Sequence, residues 1–368
     1  MKVLLVGVST RSMAQSATAA GYEVISLDYF GDRDQPAGAR VYALGRDFHL
    51  PLTHASLAKA AHQLAPEADV VIFGSGVEND LALAESCRGY LILGNALEAV
   101  KKVRGLHLLK EVLSTTKVAV PETRFVGDPL PLTGQWLVKD LSRSGGTGVA
   151  WWDGKTVPRQ WQILQRWMDG LLYSATFLAD GQHAVLLGMT RQYAGVPELG
   201  ATEFAWCGNV APLFCLELEK EILKAAECMT QAFELRGLNG IDFILKDGTP
   251  FLLEVNPRFP SSTELLERVR GVNAFQLHVE ACQGQLPSFQ PIFGRRLAFG
   301  KGILYARKTL RIRDASNWME CDIADVPQDG EKIFKGDPIC TILASGNDLE
   351  SCWQNVLEKV RKLERELY

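Results

Sequence analysis

The sequence has no CxxC pair among its eight cysteines, which fall at 87, 207, 215, 228, 282, 321, 340 and 352. Without that spacing neither a zinc site nor a redox dithiol is indicated. The cysteines read instead as small buried residues of a reducing compartment. Histidine is scarce, and the six that occur do not cluster. No Ser-His-Asp set is visible, so hydrolysis through a nucleophile triad is not indicated. No apolar run approaches the roughly 18 residues a membrane-spanning helix needs. The opening MKVLLVGVSTRS turns polar after a short apolar run, which reads as a first strand and not as a signal peptide. An excess of one charge is lacking too. The net charge is −4, so there is no footprint for nucleic acid or a membrane surface. Together these absences predict a cytoplasmic protein.

What is present is a chain of 368 residues, 47% hydrophobic and 22% charged, an ordinary globular composition at a length that predicts two or three domains. The first 95 residues alternate strand and helix. Val3–Val6, Glu23–Leu27, Val41–Leu44, Val70–Phe73 and Tyr90–Leu93 read as strands, Met13–Ala20 and Leu57–Leu64 as helices. Such alternation predicts an α/β domain with a parallel sheet, whose ligands gather beyond the carboxyl ends of the strands. The loops GVSTRS (7–12) and GSGVEND (74–80) lie there. Ser9 and Arg11 stand where a helix N-terminus favours an anion. Glu78 and Asn79 are placed to hold an amine. Helix capping would use the same Ser and Asn.

A single helix is expected over 97–113. Strands follow at Trp136–Val138, Ala175–Leu178 and Ala184–Thr190, then a helix over Leu218–Arg236 and paired strands at Gly240–Leu245 and Phe251–Val255. The pattern changes near Pro287–Pro291. Short strands at Gly302–Ala306 and Ile339–Leu343 precede a closing helix, in which Trp353, Val356, Leu357, Val360, Leu363 and Leu367 share one face. The expected division is 1–95, 96–288 and 289–368, the middle part mixing α and β.

Two stretches carry chemistry. In WLVKDLSRSGGTGV an apolar strand delivers Lys139 ahead of a loop rich in glycine and hydroxyls. Glycines let backbone N–H groups approach an anion, and the lysine can neutralise phosphate. The order is not that of a P-loop, where the lysine follows the glycines. A mobile hairpin tip with a snorkelling lysine would use the same residues.

The second stretch is GIDFILKDGTPFLLEVNPR. Two strands flank Asp247-Gly248, a hairpin signal. With a two-residue turn, Asp242 would oppose Leu253 and point away from Glu254. A three-residue loop, Lys246–Gly248, restores parity and puts Asp242, Glu254 and Asn256 on one face. Two carboxylates and an amide oxygen suit a hard cation such as Mg²⁺. An ordinary polar cluster with nearby arginines is the alternative. Arg191, after the strand AVLLGMT, is a candidate for a substrate carboxylate or for a surface salt bridge. His278, on the expected helix FQLHVEAC, reads as a packed residue and not as a base.

In this order these pieces resemble the ATP-grasp superfamily, over about residues 1–345, and LEVNPR is the most specific of them. GVSTRS, GSGVEN, WCGNVAP and LHVEACQG further resemble its carboxylate–amine ligases of pterin-linked one-carbon and methanofuran pathways, the tyramine–glutamate ligase-like proteins. The resemblance implies ATP and Mg²⁺, or Mn²⁺, as cofactors. Asp242, Glu254 and Asn256 would hold the metal. Lys139 would reach the α-phosphate region, and Ser144, Gly145, Gly146, Thr147 and Gly148 would cover the β/γ-phosphates. A further phosphate cation would be Lys101, Lys102 or Arg104. Where the family's linker presents an acid to adenine or ribose, this chain has Arg166, Leu171 and Leu172, so the backbone around Gln165, Arg166, Trp167 and Met168 would meet adenine. Arg258 would contact phosphate or the reacting carboxylate. The implied activity is amide formation between a small carboxylic acid and an amine through an acyl phosphate, with ADP and phosphate released. Many members dimerise, so a homodimer is a candidate assembly. A nucleotide-binding sensor on the same fold, and a nicotinamide dehydrogenase resting on VGVSTRS and Asp28, are the competing readings. GxGxxG is absent for the latter.

Overall fold

Four short apolar runs near the N-terminus form a parallel sheet: β1 (Lys2–Val6), β2 (Glu23–Asp28), β3 (Arg40–Ala43) and β4 (Val70–Phe73), in the order β3-β2-β1-β4. Val3, Leu4, Leu5 and Val6 are all fully buried, as continuous apolar strands covered on both faces should be. The direction of strand order changes at β1, so the loops after β1 and β4 lie side by side, and Val8 N–H donates to the Ser75 carbonyl at 2.9 Å. The computed structural model describes residues 1–289 and 297–368. The composition change at Pro287–Pro291 therefore lies partly outside the described residues.

Three sequence expectations shift. Tyr90–Leu93 is not a strand but a single bridge, Val71 to Ile92. It is pinned between Gly89 and Gly94, both at positive φ, and Leu91 is exposed. The helix expected over 97–113 is two helices, Leu97–Val103 and Leu106–Val112, parted at Gly105, the residue least suited to a helix interior after proline. The helix expected to reach Arg236 runs Leu216–Phe233 and stops at Glu234, which takes a left-handed conformation, and Arg236 already belongs to the next strand.

The rest of the chain builds two antiparallel layers facing a cleft. A small sheet pairs β5 (Thr123–Arg124), β6 (Trp136–Asp140), β7 (Val149–Trp151) and β8 (Gln162–Arg166) in the order β5-β8-β6-β7. A large sheet takes β9 (Leu171–Asp180), β10 (Ala184–Ala194), β11 (Trp206–Leu213), β12 (Arg236–Lys246), β13 (Thr249–Asn256) and β14 (Ala298–Tyr305). Past the ribbon strand β15 (Leu310–Arg311) it adds β16 (Ile323–Ala324), and past β17 (Lys332–Ile333), the partner of β15, it adds β18 (Pro338–Gly346). Its order is β13-β12-β9-β10-β11-β14-β18-β16.

Helix Leu216–Phe233 covers one part of the large sheet, with Ile222, Met229 and Phe233 packed among Phe177, Phe243 and Leu252. The closing helix Leu349–Leu367 covers β11, β14 and β18 through Trp353, Val356 and Val360. Helices Thr263–Arg270 and Ala274–Cys282 join the large sheet to the N-terminal sheet, since Leu265 and Phe275 share a core with Val3, Leu5 and Val24. No helix among the described residues is long and apolar enough to cross a membrane.

Candidate functional site

The hairpin of β12 and β13 solves its parity problem by a different device from the one expected. Its turn has two residues, Asp247 (φ 49) and Gly248 (φ 77), the left-handed pair of a type I′ turn, and Lys246 pairs with Thr249. The correction comes inside the ladder. Phe243 pairs with Leu252 and Asp242 with Glu254, leaving Leu253 as the extra residue of a bulge. Asp242 and Glu254 thereby share a face. Asn256 joins them, its Nδ2 donating to Asp242 Oδ2 at 3.0 Å.

Burial pushes the Asp242 carboxyl well above its usual range, and the adjacent Glu254 charge and hydrogen bond push the same way, against the Asn256 hydrogen bond and the Arg258 charge. Two carboxylates on one face repel each other unless a positive charge comes between them. Their oxygens, with the Asn256 amide oxygen nearby, are the donor set of a hard divalent ion, so the residues fit Mg²⁺ or Mn²⁺. Gln192 of β10 also reaches the pair, donating to Asp242 Oδ1 at 3.2 Å.

Arg258 is fixed from two sides. Its guanidinium donates to Glu78 Oε1 at 2.9 and 3.0 Å and to Asn256 Oδ1 at 3.0 Å. Burial alone would lower the Arg258 pKa, but Glu78, Glu254 and Asp242 outweigh it. Glu78 is 4% exposed. Burial raises its pKa, yet the Arg258 charge and hydrogen bonds hold it below the usual range. Glu78 is therefore the counter-ion of Arg258, and its expected place against an amine is taken. Asn79 lies beside it with neither side-chain amide atom hydrogen-bonded.

One cavity of about 840 Å³ runs between the small sheet, the large sheet and the N-terminal loops, and Asp242, Glu254, Asn256, Arg258 and Lys139 all line it. Lys139 comes from β6. Burial depresses its ammonium pKa, and the charges of Glu254 and Asp242 oppose that, so the lysine faces the carboxylates across the cleft. The loop after it, Ser144 to Gly148, lines the same cavity. Gly145 (φ 61) and Gly146 (φ 74) are left-handed. A Cβ on Gly146 would lie 1.8 Å from the Phe204 carbonyl oxygen, and Trp206 N–H donates to the Gly145 carbonyl at 2.8 Å. The loop is docked on the segment before β11.

The linker residues Gln165, Arg166, Trp167 and Met168 line the cavity as well. The backbone N–H groups of Arg166 and Trp167 are spent on the carbonyls of Glu122 and Gln135, and Gln165 donates to Thr123 at 3.3 Å. Of the cations on the preceding helix, Arg104 reaches the cavity and donates to the Leu141 carbonyl at 2.7 Å. Lys101 pairs outward with Glu98. Lys102 is exposed and outside the residues lining the cavity, so it is not the phosphate cation of this arrangement.

Arg191 also departs from expectation. It lies over the Tyr193 ring at 5.1 Å and 4.0 Å from Glu350, on the side of β10 away from the cavity. Adjacent strand residues face opposite ways, so Gln192 takes the inward position. Arg11 is 2% exposed, bonded to Glu264 at 2.7 Å and Asp325 at 2.9 Å with Asp34 at 3.4 Å. Its charge is already matched, and it is not a free anion site. Ser9 remains exposed beside it. His278 accepts from Leu238 N–H at 2.9 Å through Nδ1 and faces the Leu93 carbonyl at 3.1 Å through Nε2. Burial lowers its pKa to about 4. It is a neutral packed residue, as the sequence predicted.

Residues 106–262 match a family model described as an ATP-grasp domain. Over 99% of its length the chain is 23% identical to 93% of an uncharacterized protein of Methanocaldococcus jannaschii. In three dimensions it is similar to the N5-carboxyaminoimidazole synthetase of Staphylococcus aureus solved with ADP, at TM-score 0.70 and 15% identity, covering 98% of this chain and 96% of that one. It is also similar to the L-amino acid ligase of Bacillus licheniformis, at TM-score 0.67 and 15% identity, covering 98% and 97%. The fold is the mixed α/β ATP-grasp fold, with a parallel N-terminal sheet.

Proposed function

We propose that this protein, built around an ATP-grasp domain at residues 106–262, joins a small carboxylic acid to an amine using ATP and Mg²⁺ or Mn²⁺. The observation that carries the reading is the oxygen face of Asp242, Glu254 and Asn256, set by the Leu253 bulge and looking across one cavity at Lys139. A divalent ion held there supplies positive charge to the phosphate oxygens during phosphoryl transfer.

The chain's own residues do the remaining work by position and charge, which is most of what phosphoryl transfer requires. Lys139 neutralises the phosphate tail from the small sheet. The loop from Ser144 to Gly148 covers that tail with backbone N–H groups, and the linker 165–168 borders the base. Arg104 adds a second cation on the small-sheet side. Arg258, held by Glu78 and Asn256, is aimed at the end of the phosphate chain, where the substrate carboxylate would be activated as an acyl phosphate. The amine then attacks that carbonyl and phosphate leaves. Of the two proteins of similar structure, one is named an L-amino acid ligase and the other, an N5-carboxyaminoimidazole synthetase, was solved with ADP, which supports an ATP-dependent ligase here.

The test is to incubate the protein with ATP, Mg²⁺ and a panel of acids, with hydroxylamine as the trapping nucleophile. ADP, phosphate and a hydroxamate are expected for the correct acid. AMP as the stoichiometric product would exclude the acyl-phosphate route. ADP with neither hydroxamate nor amide across a broad panel would favour the nucleotide sensor.

A further inference from the structure

The cavity has a second polar end, away from Lys139. There Asp28, Asp32, Asp34, Glu264 and Asp325 gather around two embedded basic side chains among the described residues, Arg11 and Lys301. Four of the five carboxylates are satisfied. Asp28 accepts from the N–H groups of Thr10, Phe30 and Gly31 and from Gln35. Asp34 accepts from the N–H groups of Asp325 and Val326. Asp325 and Glu264 share Arg11, and Lys301 stands 3.5 Å from Glu264. Asp32 differs. It is 7% exposed, lines the cavity, and its Oδ2 is buried with no hydrogen-bond partner. Arg33 beside it pairs elsewhere, with Asp329 at 2.7 Å.

A buried carboxylate oxygen without a donor is costly, and the surroundings deepen that cost. Burial and then the charges of Asp325, Asp28 and Asp34 hold the Asp32 carboxyl well above its usual range, with Arg11 only partly offsetting them. Asp325 is also held in the left-handed region at φ 52, the kind of local strain that gathers at ligand sites. Ser9 Oγ, exposed at the same end, donates to Asp325 Oδ1 at 3.5 Å.

Resting on the ligase reading, we propose that Asp32, with Asp325 and Ser9, forms the subsite for a primary ammonium group carried by the amine substrate. A divalent metal suits it poorly. Such an ion takes six or more oxygens, and outside the proposed subsite Asp28, Asp34 and Glu264 have committed theirs to N–H groups of the backbone, Gln35, Arg11 and Lys301. An ammonium brings three N–H donors and one charge, which is what Asp32 lacks. Tyr29, Phe30 and Phe334 also line the cavity, offering apolar surface to the carbon chain that carries the ammonium.

The test uses the full chain and needs no turnover, so it stands apart from the failure of the ligase reading. 1,4-Diaminobutane is titrated by calorimetry with Mg-ADP present, and 1,4-butanediol serves as the uncharged match. The wild type should bind the diamine and not the diol, and Asp32→Asn should weaken diamine binding at least tenfold. Because Asp32→Asn replaces a carboxyl crowded by Asp325, Asp28 and Asp34 with an uncharged amide of the same shape, its melting temperature should hold or rise. Ser9→Ala, an exposed change that leaves the core alone, should weaken the diamine more mildly. Equal binding of diamine and diol, or equal diamine binding by wild type and Asp32→Asn, would overturn the proposal. So would displacement of the diamine by Mg²⁺ in the absence of nucleotide, which would assign the pocket to a metal.

Discussion

Glu254 and Asp242 stand side by side on the cavity wall, an arrangement that two negative charges would not choose unaided. Glu254→Gln should therefore cost activity without costing the fold. Losing one carboxylate from the set facing the phosphates should lower kcat on the order of 10²-fold or more. Removing the charge that pushes Asp242 upward should leave the melting temperature unchanged or raised in the absence of metal. The rise in melting temperature on adding Mg-ADP should vanish with it, since only a ligand bound to the folded state stabilises it. A full Mg-ADP shift in Glu254→Gln would remove Glu254 from the metal face. His278 gives a separate prediction at the same scale. Its folded pKa of about 4 lies below the roughly 6.5 of a free histidine, so the unfolded chain binds the extra proton first. The stabilisation is complete above about pH 6.5 and is lost as pH falls toward 4, up to about 3 kcal/mol. Glu264, held to about 2 by Arg11 and Lys301 against the opposing effect of burial, acts in a lower window, below about pH 4.5. His278→Gln keeps an acceptor and a donor in place, and should flatten melting temperature against pH between 6.5 and 4.5. An unchanged slope there would place the titration elsewhere.

At the scale of elements, the glycine loop offers a matched pair of substitutions. Gly145 and Gly146 are both left-handed, but only Gly146 meets backbone, the Phe204 carbonyl. A Cβ on Gly145 meets nothing within 4 Å. Gly145→Ala should carry only the conformational cost, about 1–2 kcal/mol. Gly146→Ala must also lift the loop from the segment before β11, and should raise the KM for ATP by roughly tenfold or more, well beyond Gly145→Ala. Equal effects would mean that the loop's docking on Phe204 does not matter to nucleotide binding. These elements also show how far a sequence can be read. Asp247-Gly248 announced the turn, and alternation demanded a parity change somewhere between Asp242 and Glu254. The choice between a longer turn and a bulge at Leu253 depends on pairing across two strands, which local pattern does not encode. Arg191 and Gln192 illustrate the same limit. Both sides of β10 are covered, so alternation alone could not tell which residue looks into the cavity. Gly105 was visible, but the apolar spacing on either side of it outweighed its propensity and made two helices look like one. Asp32, Lys301 and Asp325 sit in three separate stretches of chain, and only the folded arrangement brings them together.

At the scale of the whole molecule, hydrogen bonding runs across the line that composition draws near residue 288. β11 pairs with β14 from Gly208–Gly302 to Ala211–Phe299, and β14 pairs in turn with β18. The core beneath them mixes Leu199, Cys207 and Val210 with Ile342, Val356 and Val360. Trp353 of the closing helix stacks on Tyr193 of β10 at 3.7 Å. Removing 289–368 would therefore open the edge of β11, strip the cover from one end of the large sheet, and take Lys301 and Asp325 out of the cavity. An exposed, apolar strand edge is an aggregation template, and the lost core residues include several fully buried side chains. A fragment of residues 1–288 should be recovered as aggregate or as a species without a cooperative melt, whereas the full chain melts cooperatively. The measurement is soluble yield and a thermal melt of the two chains side by side, with Mg-ADP titrated into each. A soluble 1–288 fragment that melts cooperatively and binds Mg-ADP as the full chain does would make the last segment an appendage. The expected outcome makes it a structural wall of the nucleotide-facing sheet. On that outcome the acidic end of the cavity and the phosphate end depend on one continuous eight-stranded layer.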